Sequence, residues 1–310
     1  MMRIIVLGSA AGGGYPQWNC NSEYCRLARN DSTQAFPRTQ SSLAVTADGA
    51  RYLLLNCSPD LRQQLNQTEP LHPREGLRSS PVKAVVLTNG DVDHIAGLLT
   101  MRESEPFGIY ASGRVHRILE TNSIFNVLNP DYVRRHTIAL SAPFRPEDAQ
   151  GRPLGLEVEA FAVPGKVALF LEDESRGGDF GTQEGDTVGL HVRSLENGAS
   201  FHYIPGCARL TDSLRERLDG GSLLFFDGTL FRDDEMITMG VGKKTGQRMG
   251  HISMNGEDGS LAAFRDIRIE RKIYIHINNT NPVLVEHSPE RKIVEQAGWT
   301  VSRDGQVIDL

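Results

Sequence analysis

The chain has 310 residues, of which 39% are hydrophobic and 23% charged, a composition typical of a soluble globular protein. Its formal net charge of −6 and the lack of a basic block give no reason to expect nucleic acid as a partner. No apolar run reaches the roughly 18 residues of a transmembrane helix, and Ile4–Leu7 is too short for the core of a signal peptide. We therefore expect a cytoplasmic protein without a membrane span.

Strand-like and helix-like stretches alternate along the chain. Short apolar stretches rich in β-branched or aromatic residues predict strands: RIIVLG, RYLLLN, KAVVLT, FGIYAS, LEVEAFAV, TVGLHV, SFHYIP, SLLFFDG and KIYIHI. The helix-like stretches are Pro59–Gln67, Val115–Leu128, Leu210–Leu218 and Gly256–Phe264. This alternation predicts a layered α/β protein. The polar, glycine-rich stretch Glu172–Asp186 is expected to be an exposed loop.

Two stretches near the N-terminus carry weak motifs. GSAAGGG fits neither nucleotide-binding fingerprint, because Ala10 replaces a required glycine and Gly14 a required lysine, so a tight turn is favoured. In NCNSEYC, Cys20 and Cys25 are either half of a structural zinc site, which needs four ligands, or a pair of packed thiols. Both interpretations remain open from the spacing alone.

The stretch TNGDVDHIAG carries a stronger signal, because an aspartate and a histidine follow the predicted strand KAVVLT. Loops at a strand end can direct such side chains at one ion while the sheet holds them rigid. The alternative is a surface turn in which Asp93 caps a helix that begins at His94. Two further histidines are well situated: His276 ends the strand RKIYI, and His251 lies in MGHIS before a helix-like stretch. A lone histidine, however, is more often packed or exposed than functional.

The order of TNGDVDHIAGLL, FFDGT, MGHIS and IHINNTNP resembles the metallo-β-lactamase superfamily. Together with GSAAGGGYPQWNCN, RTQSSLAV and YIPGCA, it resembles the pyrroloquinoline-quinone biosynthesis protein B (PqqB) family from end to end. The resemblance implies a single metallo-β-lactamase-like domain over residues 1–310. The implied architecture is a four-layered αββα sandwich with its active site at one edge of the paired sheets.

The chain departs from the metal-binding pattern of the superfamily. The HxHxDH loop is represented by Asn89, Asp91, Asp93 and His94. The later loop AVPGK has no histidine, and Pro205 and Gly206 stand where the metal-bridging aspartate is expected. By this resemblance one metal site is lost, and a single ion would be held by Asp93, His94 and His276.

Two histidines and one carboxylate are the ligand set of non-haem iron(II) oxygenases. The PqqB resemblance implies iron-dependent hydroxylation, with molecular oxygen, of the tyrosine ring in a cross-linked glutamate–tyrosine precursor of pyrroloquinoline quinone. Two alternatives stay open. One is a soluble carrier that takes the quinone or its precursor toward the periplasm, and the other is a metal-dependent hydrolase, since zinc accepts the same ligands. The oligomeric state also stays open, and a homo-oligomer is compatible with the sequence.

The resemblance also suggests roles around the ion. His251 occupies the place of a proton donor and Asp227 would orient it, while Asp91 is a nearby base or an extra ligand. A substrate with several carboxylates needs cations and hydrogen-bond donors. The candidates are Arg38, Lys166, Lys243, Lys244, Arg248, Asn278 and Asn279. In the cysteine loop, related proteins carry a C-x-C-x-x-C run that holds zinc, and Ser22 replaces its middle cysteine here.

Overall fold

The structure is a computed structural model that describes residues 1–31 and 33–310. The strands, in chain order, are β1 (Arg3–Gly8), β2 (Ser42–Thr46), β3 (Tyr52–Leu55), β4 (Val82–Val86), β5 (Phe107–Ala111), β6 (Val133–Thr137), β7 (Pro143–Phe144), β8 (Leu156–Ala162), β9 (Val188–Ser194), β10 (Ser200–Ile204), β11 (Gly221–Asp227), β12 (Ile269–Ile275), β13 (Trp299–Val301) and β14 (Val307–Asp309). The α-helices are α1 (Glu23–Asn30), α2 (Leu61–Gln67), α3 (Val92–Ile95), α4 (Gly113–Thr121), α5 (Asp212–Leu218), α6 (Glu235–Thr238), α7 (Gly246–Met249), α8 (Ser260–Ala263) and α9 (Pro289–Gln296). Short 3-10 helices cover Glu69–Leu71, Ala96–Met101, Ser123–Val127, Leu169–Leu171, Glu174–Arg176 and Pro282–Leu284.

The strands form two mixed seven-stranded sheets. The first sheet has the order β14-β1-β2-β3-β4-β5-β6, and the strands from β3 to β6 are parallel. The second sheet has the order β13-β12-β11-β10-β9-β8-β7, and the strands from β10 to β13 are parallel. Helices cover the outer faces, so the architecture is the αββα sandwich expected from the sequence.

The apolar side chains of each central strand point alternately to two different cores, because successive residues of a strand face opposite sides of the sheet. In β4, Ala84 and Val86 join the core between the sheets, whereas Val85 joins the core under the helices. In β11, Phe225 joins the core between the sheets, and Phe226 packs under the helices on the other side. Strands buried on both faces read as continuous apolar runs, which is why the sequence predicted them well.

The strand predictions are confirmed for all nine apolar runs, and the helix predictions only in part. The stretch Val115–Leu128 divides at Asn122, whose backbone is extended, into α4 and a 3-10 helix. The stretch Gly256–Phe264 contains only the short α8. The elements that prediction misses include the buried β2 and the short β7, β13 and β14, as well as α1. They also include β6 and α9, whose sequences VRRHT and PERKIVEQ are too polar to show an apolar pattern. Among the described residues, no helix has the length and apolar character needed to cross a membrane.

The carboxyl ends of β4, β11 and β12 lie at the same edge of the sandwich. In sheets with parallel strands, ligands bind outside these ends. The two sheets also meet there, because the Val188 amide donates to the Thr88 carbonyl at 2.8 Å and Asn89 forms a β-bridge with Thr187. The loops after these strands are therefore held against one another across the seam between the sheets.

Candidate metal centre and its cleft

A cleft of about 540 Å³ opens at this edge of the sandwich. Its lining includes the three candidate metal ligands, Asp93, His94 and His276. His276 directly follows β12, while Asp93 and His94 lie in α3, which is separated from the end of β4 by five residues. Residues 183 positions apart in the chain therefore meet, because both sheets end here.

The candidate ligands converge on one point. The Oδ2 atom of Asp93 lies 2.9 Å from Nε2 of His276 and 3.7 Å from Nε2 of His94. The ligand atoms of the three side chains all lie within 4.8 Å of one another. Nε2 of His94 is buried and has no hydrogen-bond partner among the described residues. A buried polar atom without a partner is costly, so this nitrogen fits a metal ligand better than a packed imidazole.

The hydrogen bond of His94 to Asn89 fixes which ring nitrogen faces the cleft. Nδ1 of His94 lies 2.7 Å from Oδ1 of Asn89, which also accepts the amide of Asp91 at 3.1 Å. A carbonyl oxygen only accepts, so Nδ1 carries the hydrogen and Nε2 keeps its lone pair. Asn89 stands where the superfamily pattern has a ligand, and here it orients His94, a candidate ligand.

His276 is oriented in the same way by Thr229. The Thr229 hydroxyl donates to Oδ1 of Asp227 at 2.7 Å, and Nδ1 of His276 lies 2.9 Å from the same hydroxyl oxygen. With the hydroxyl hydrogen given to Asp227, His276 donates from Nδ1 in the second contact, so in the neutral imidazole its Nε2, 2.9 Å from Oδ2 of Asp93, is the nitrogen available to a cation. Both imidazoles thus present lone pairs to the carboxylate of Asp93, an arrangement that a divalent cation satisfies.

The protonation states suit this arrangement. Burial lowers the pKa of His94 to about 4, against the smaller opposing effect of Asp93. Burial would raise the pKa of Asp93, but the neighbouring His94 and His276 lower it well below its usual range. At neutral pH the histidine is neutral and the aspartate ionised, which are the forms that bind metal.

A second group of possible ligands, formed by Asp227, His251 and His276, lies beside the first. The Thr229 hydroxyl lies between all three, with its oxygen 3.1 Å from Nδ1 of His251. Asp227 also accepts hydrogen bonds from the Cys207 amide at 2.9 Å and from Nδ1 of His251 at 2.7 Å. Both carboxylate oxygens of Asp227 and the Nδ1 atoms of both histidines are engaged in hydrogen bonds within or beside this group, so it fits a hydrogen-bonded network better than a second metal site.

In this network, the partly buried His251 and the buried Asp227 form a hydrogen-bonded pair that resembles an ion pair. Burial disfavours the charged imidazole, but Asp227 outweighs it and raises the pKa of His251 above its usual value. Nδ1 is engaged by Asp227, so Nε2 is the atom left to exchange a proton with a ligand. The dyad expected from the sequence is therefore present as a geometry, and its catalytic role is a proposal.

Asp91 lies in the cleft lining but belongs to neither group of possible ligands. Its Oδ1 accepts the amide of Leu169 at 3.2 Å, which ties the chain segment on the other side of the cleft to the metal loop. Burial, helped by the nearby charge of Asp93, raises the pKa of Asp91 to about 6. Of its two suggested roles, nearby base or extra ligand, this position fits the base.

At two places where the superfamily pattern has a metal ligand, this chain has a glycine and therefore no side chain. A side chain at Gly165, in the AVPGK loop, would place its Cβ 2.5 Å from the Thr187 side chain. Thr187 therefore closes the place from which a third histidine would reach the missing ion. Gly206 faces His251, whose Cε1 would lie 3.6 Å from an added Cβ, and it offers no bridging carboxylate.

The predicted substrate-binding residues are divided between the cleft and the protein interior. Lys166, Lys243, Lys244 and Asn278 are in the cleft lining, and Arg248 reaches it by donating to Glu172 at 2.9 Å. Arg38 is placed elsewhere, contrary to its predicted role. It is buried, and its guanidinium donates to the Ser302 carbonyl and to Ser9. Arg38 therefore joins the N-terminal loop to the C-terminal strands.

Asn279 is also outside the cleft lining and contacts the cysteine loop instead. Its Nδ2 lies 3.4 Å from Sγ of Cys25, and Sγ of Cys20 lies 3.2 Å from the Ser22 hydroxyl. Two thiols, a hydroxyl and an amide do not make the four ligands of structural zinc. Among the described residues, no group of three metal-binding side chains includes a cysteine.

Three residues of the site were missed by sequence reasoning. Thr229 and Asn89 lie in recognised motifs that do not reveal their orienting roles, and the polar sequence around Glu172 predicts an exposed loop. The FFDGT motif was a signal for Thr229, since a hydroxyl two residues after a strand-end aspartate commonly bonds it. Glu172 shows no such signal, because its partners Lys244 and Arg248 are distant in the chain and Lys166 alone forms no recognisable motif with it.

Residues 51–277 match the family model of the beta-lactamase superfamily domain, so the fold and the site define a member of that superfamily. Two similar proteins are both named coenzyme PQQ synthesis protein B. The protein from Rhodopseudomonas palustris (strain TIE-1) is 54% identical over 312 residues, and that from Methylorubrum extorquens (strain AM1) is 53% identical over 309, each covering 100% of both chains. The chain belongs to the coenzyme PQQ synthesis protein B family.

Solved structures agree with this assignment. The zinc-bound PqqB from Methylobacterium extorquens has a TM-score of 0.93 and 53% identity, covering 99% of this chain and 100% of the other. A diphosphatase from the PhnP family has a TM-score of 0.68 at 20% identity, covering 100% and 98%. The second likeness concerns the fold alone.

Proposed function

We propose that the protein acts in the biosynthesis of pyrroloquinoline quinone, as an iron(II)-dependent hydroxylase of a tyrosine-derived precursor ring. Its family supports the pathway, because the relatives over the full chain are named for PQQ synthesis. The observation that carries the metal assignment is the buried Nε2 of His94, which has no hydrogen-bond partner among the described residues. The donor set supports iron, since two imidazoles and one carboxylate are typical of non-haem iron(II) oxygenases.

Asp93, His94 and His276 would hold the ion, and the remaining coordination positions would be left for substrate, oxygen or water. When bound, iron(II) supplies the redox chemistry by which molecular oxygen reacts with an aromatic ring. The overall reaction replaces one ring C–H bond with C–OH. The second oxygen atom leaves as water, with two electrons from a reductant and two protons.

The protein's own residues bind, orient and exchange protons. Asn89 and Thr229 keep the two imidazoles in the tautomers that direct Nε2 at the ion. His251, held by Asp227, would move a proton between its Nε2 and the ring substituent of the substrate. Lys166 and Lys243 in the cleft lining would pair with substrate carboxylates.

The test is a reaction of anaerobically purified, iron(II)-loaded protein with the tyrosine-derived precursor, a reductant and isotopically labelled oxygen gas. We expect one labelled oxygen atom per hydroxylation in the product mass. The variant His276→Ala, run beside the wild type, should give no labelled product. Equal products from both proteins would refute the ligand assignment, and tight quinone binding without turnover in either would favour a carrier.

Zinc-dependent hydrolysis is a second candidate, favoured by the description of the Methylobacterium extorquens relative as zinc-bound. Zinc binds histidine and aspartate and lowers the pKa of a bound water. Incubation of zinc-loaded protein with the same precursor in the absence of oxygen distinguishes the two functions. Turnover under those conditions would support hydrolysis, and turnover only with iron(II) and oxygen supports hydroxylation.

A further inference from the structure

The carboxylate of Glu172 lies in the cleft lining, surrounded by cationic side chains. Arg248 donates to its Oε2 atom at 2.9 Å, Nζ of Lys244 lies 3.7 Å from the same atom, and Lys166 pairs with Oε1. Only 9% of the Glu172 side chain is exposed. This is not an ordinary surface ion pair, because several cations converge on one largely buried carboxylate beside the candidate metal centre.

The cations come from both walls of the cleft. Lys166 precedes the 3-10 helix Leu169–Leu171 on one wall, and Lys244 and Arg248 lie just before and within α7 on the other. Glu172 directly follows that 3-10 helix. Its carboxylate therefore joins the two walls. Burial opposes its ionisation, but hydrogen bonds from Arg248 and Lys166 lower the pKa of Glu172 below its usual value, so it is an anion at neutral pH.

Two of the cations also contact an aromatic ring of the same loop. The Phe180 ring lies beneath two of them, with its centroid 3.6 Å from Cζ of Arg248 and 5.0 Å from Nζ of Lys166. An aromatic face attracts cations and restricts their position. Because the ring contacts these cations directly, movement of the Glu172 side chain alone would leave Lys166 and Arg248 in place to bind another carboxylate.

The segment that carries Glu172 is weakly attached to the rest of the protein. Its 3-10 helix exposes Leu169, Phe170 and Leu171, by 62%, 47% and 43%, so these apolar side chains contribute little to any core. Besides the Glu172 carboxylate, residues 169–172 are held at the cleft by the bond from the Leu169 amide to Asp91, whereas the preceding Val167 and Ala168 are buried and anchor the start of the segment. Segments with few buried apolar contacts open at low free-energy cost.

We propose that, before substrate binds, the Glu172 carboxylate occupies the position of a substrate carboxylate. A polycarboxylate substrate then displaces it from Lys166, Lys244 and Arg248. The inference rests on the proposed function for its substrate class, a ring compound with several carboxylates. Displacement swaps one carboxylate for another, so the cations are never left without an anion. Displacement also frees the segment whose Leu169 amide bonds Asp91, so binding of a charged substrate changes the contacts of the metal loop.

The test measures binding of benzene-1,3,5-tricarboxylate by titration calorimetry to the protein as purified. Its three carboxylates lie too far apart to chelate one ion together. Glu172→Gln keeps the size of the side chain and removes its charge. We expect the dissociation constant of Glu172→Gln for the tricarboxylate to be about tenfold lower than that of the wild type. In the wild type, a site that is open only about one-tenth of the time binds about tenfold more weakly. The neutral triamide of the same ring should bind both proteins equally.

Glu184→Gln is the matched control, because Glu184 is an exposed glutamate of the same loop. It should leave the dissociation constant unchanged. Lys166→Gln and Lys244→Gln in the wild-type background should each weaken tricarboxylate binding. These two lysine variants test the proposal even if the Glu172→Gln protein does not fold. Unchanged affinity in both lysine variants, or unchanged or weaker binding by a folded Glu172→Gln, would overturn it.

The outcome is separable from that of the proposed function. If Glu172→Gln binds the tricarboxylate more tightly but wild-type protein makes no labelled product, the displacement holds and the hydroxylase assignment fails. If wild-type protein hydroxylates its substrate and Glu172→Gln leaves affinity unchanged, Glu172 is a structural tether and this inference fails alone.

Discussion

The two groups of possible metal ligands in the cleft have similar composition and share His276, yet their chemistry differs. In the group of Asp93 and His94, a buried imidazole nitrogen has no hydrogen-bond partner among the described residues. In the group of Asp227 and His251, the Thr229 hydroxyl lies between the side chains and satisfies them. Residue types alone therefore do not define a metal site. What matters is whether the lone pairs are already used.

This contrast also explains how a two-metal architecture can be reduced to one metal. Removing ligands would leave buried polar atoms without partners, which is costly. Two of the changed positions have a local replacement. Asn89 bonds His94, and Gly165 packs against Thr187 in place of a reaching side chain.

The largest expected effect is that of removing a ligand from the first group. His276→Ala should abolish metal binding and lower hydroxylation by more than about 100-fold, since even partners outside the ligand shell cost about 10–100-fold. Metal content and product mass measure this. His287→Ala is the control, because His287 is exposed and also has a positive φ, 66° against 60° for His276. An equal loss of metal in the control would point to backbone damage.

Removing the imidazole of the second group should separate chemistry from metal binding. His251→Gln should retain the metal and lower kcat by about 100-fold, the lower end of the range for general acid–base groups. Metal analysis and turnover are measured on the same preparation. Loss of the metal together with activity would mean that the second group does hold an ion, and the contrast between the groups would fail.

Asn89 tests whether orientation of His94 matters. Asn89→Ala removes the acceptor for Nδ1 of His94 and should weaken metal binding by about 10–100-fold. Asn89→Asp keeps an acceptor oxygen and should stay within a few-fold of wild type on the same scale. Competition with a chelator of known affinity measures both. Equal affinity for Asn89→Ala and wild type would show that the imidazole is held by packing.

The smallest effect is a difference in pH dependence between the two groups in metal-free protein. The pKa of His94 is about 4 in the folded state and about 6.5 in the unfolded chain. As pH falls below about 6.5, the unfolded state binds the proton first and the free energy of unfolding decreases. The pKa of His251 is raised, so its contribution is present at low pH and lost as pH rises through its folded-state value.

We therefore expect His94→Gln to flatten the stability loss on the acid side and His251→Gln to flatten it on the alkaline side. Each slope is at most about 1.4 kcal/mol per pH unit. Urea unfolding between about pH 4.5 and 8.5 with a chelator present measures both slopes. Parallel curves for the two variants would contradict opposite roles for the two imidazoles.

The sequence predicts the apolar layers and points to the candidate ligands at the strand ends, because both depend on local patterns. Each central strand is an apolar run, and Asp93, His94 and His276 all follow such runs. The orienting contacts are not local, since Thr229 and His276 are 47 residues apart. Glu172 was predicted to be exposed because its own stretch is polar. Its burial depends on Arg248, 76 residues away, and no local pattern reports that.

The backbone of His276 has a consequence for protein engineering. Its φ of 60° is in the left-handed region, which costs a non-glycine residue about 1–2 kcal/mol and suits glycine or asparagine. A library selected for heat resistance alone would thus favour replacing this histidine. Such a selection would gain melting temperature while discarding a candidate metal ligand, so position 276 needs to be held fixed in any stabilised variant.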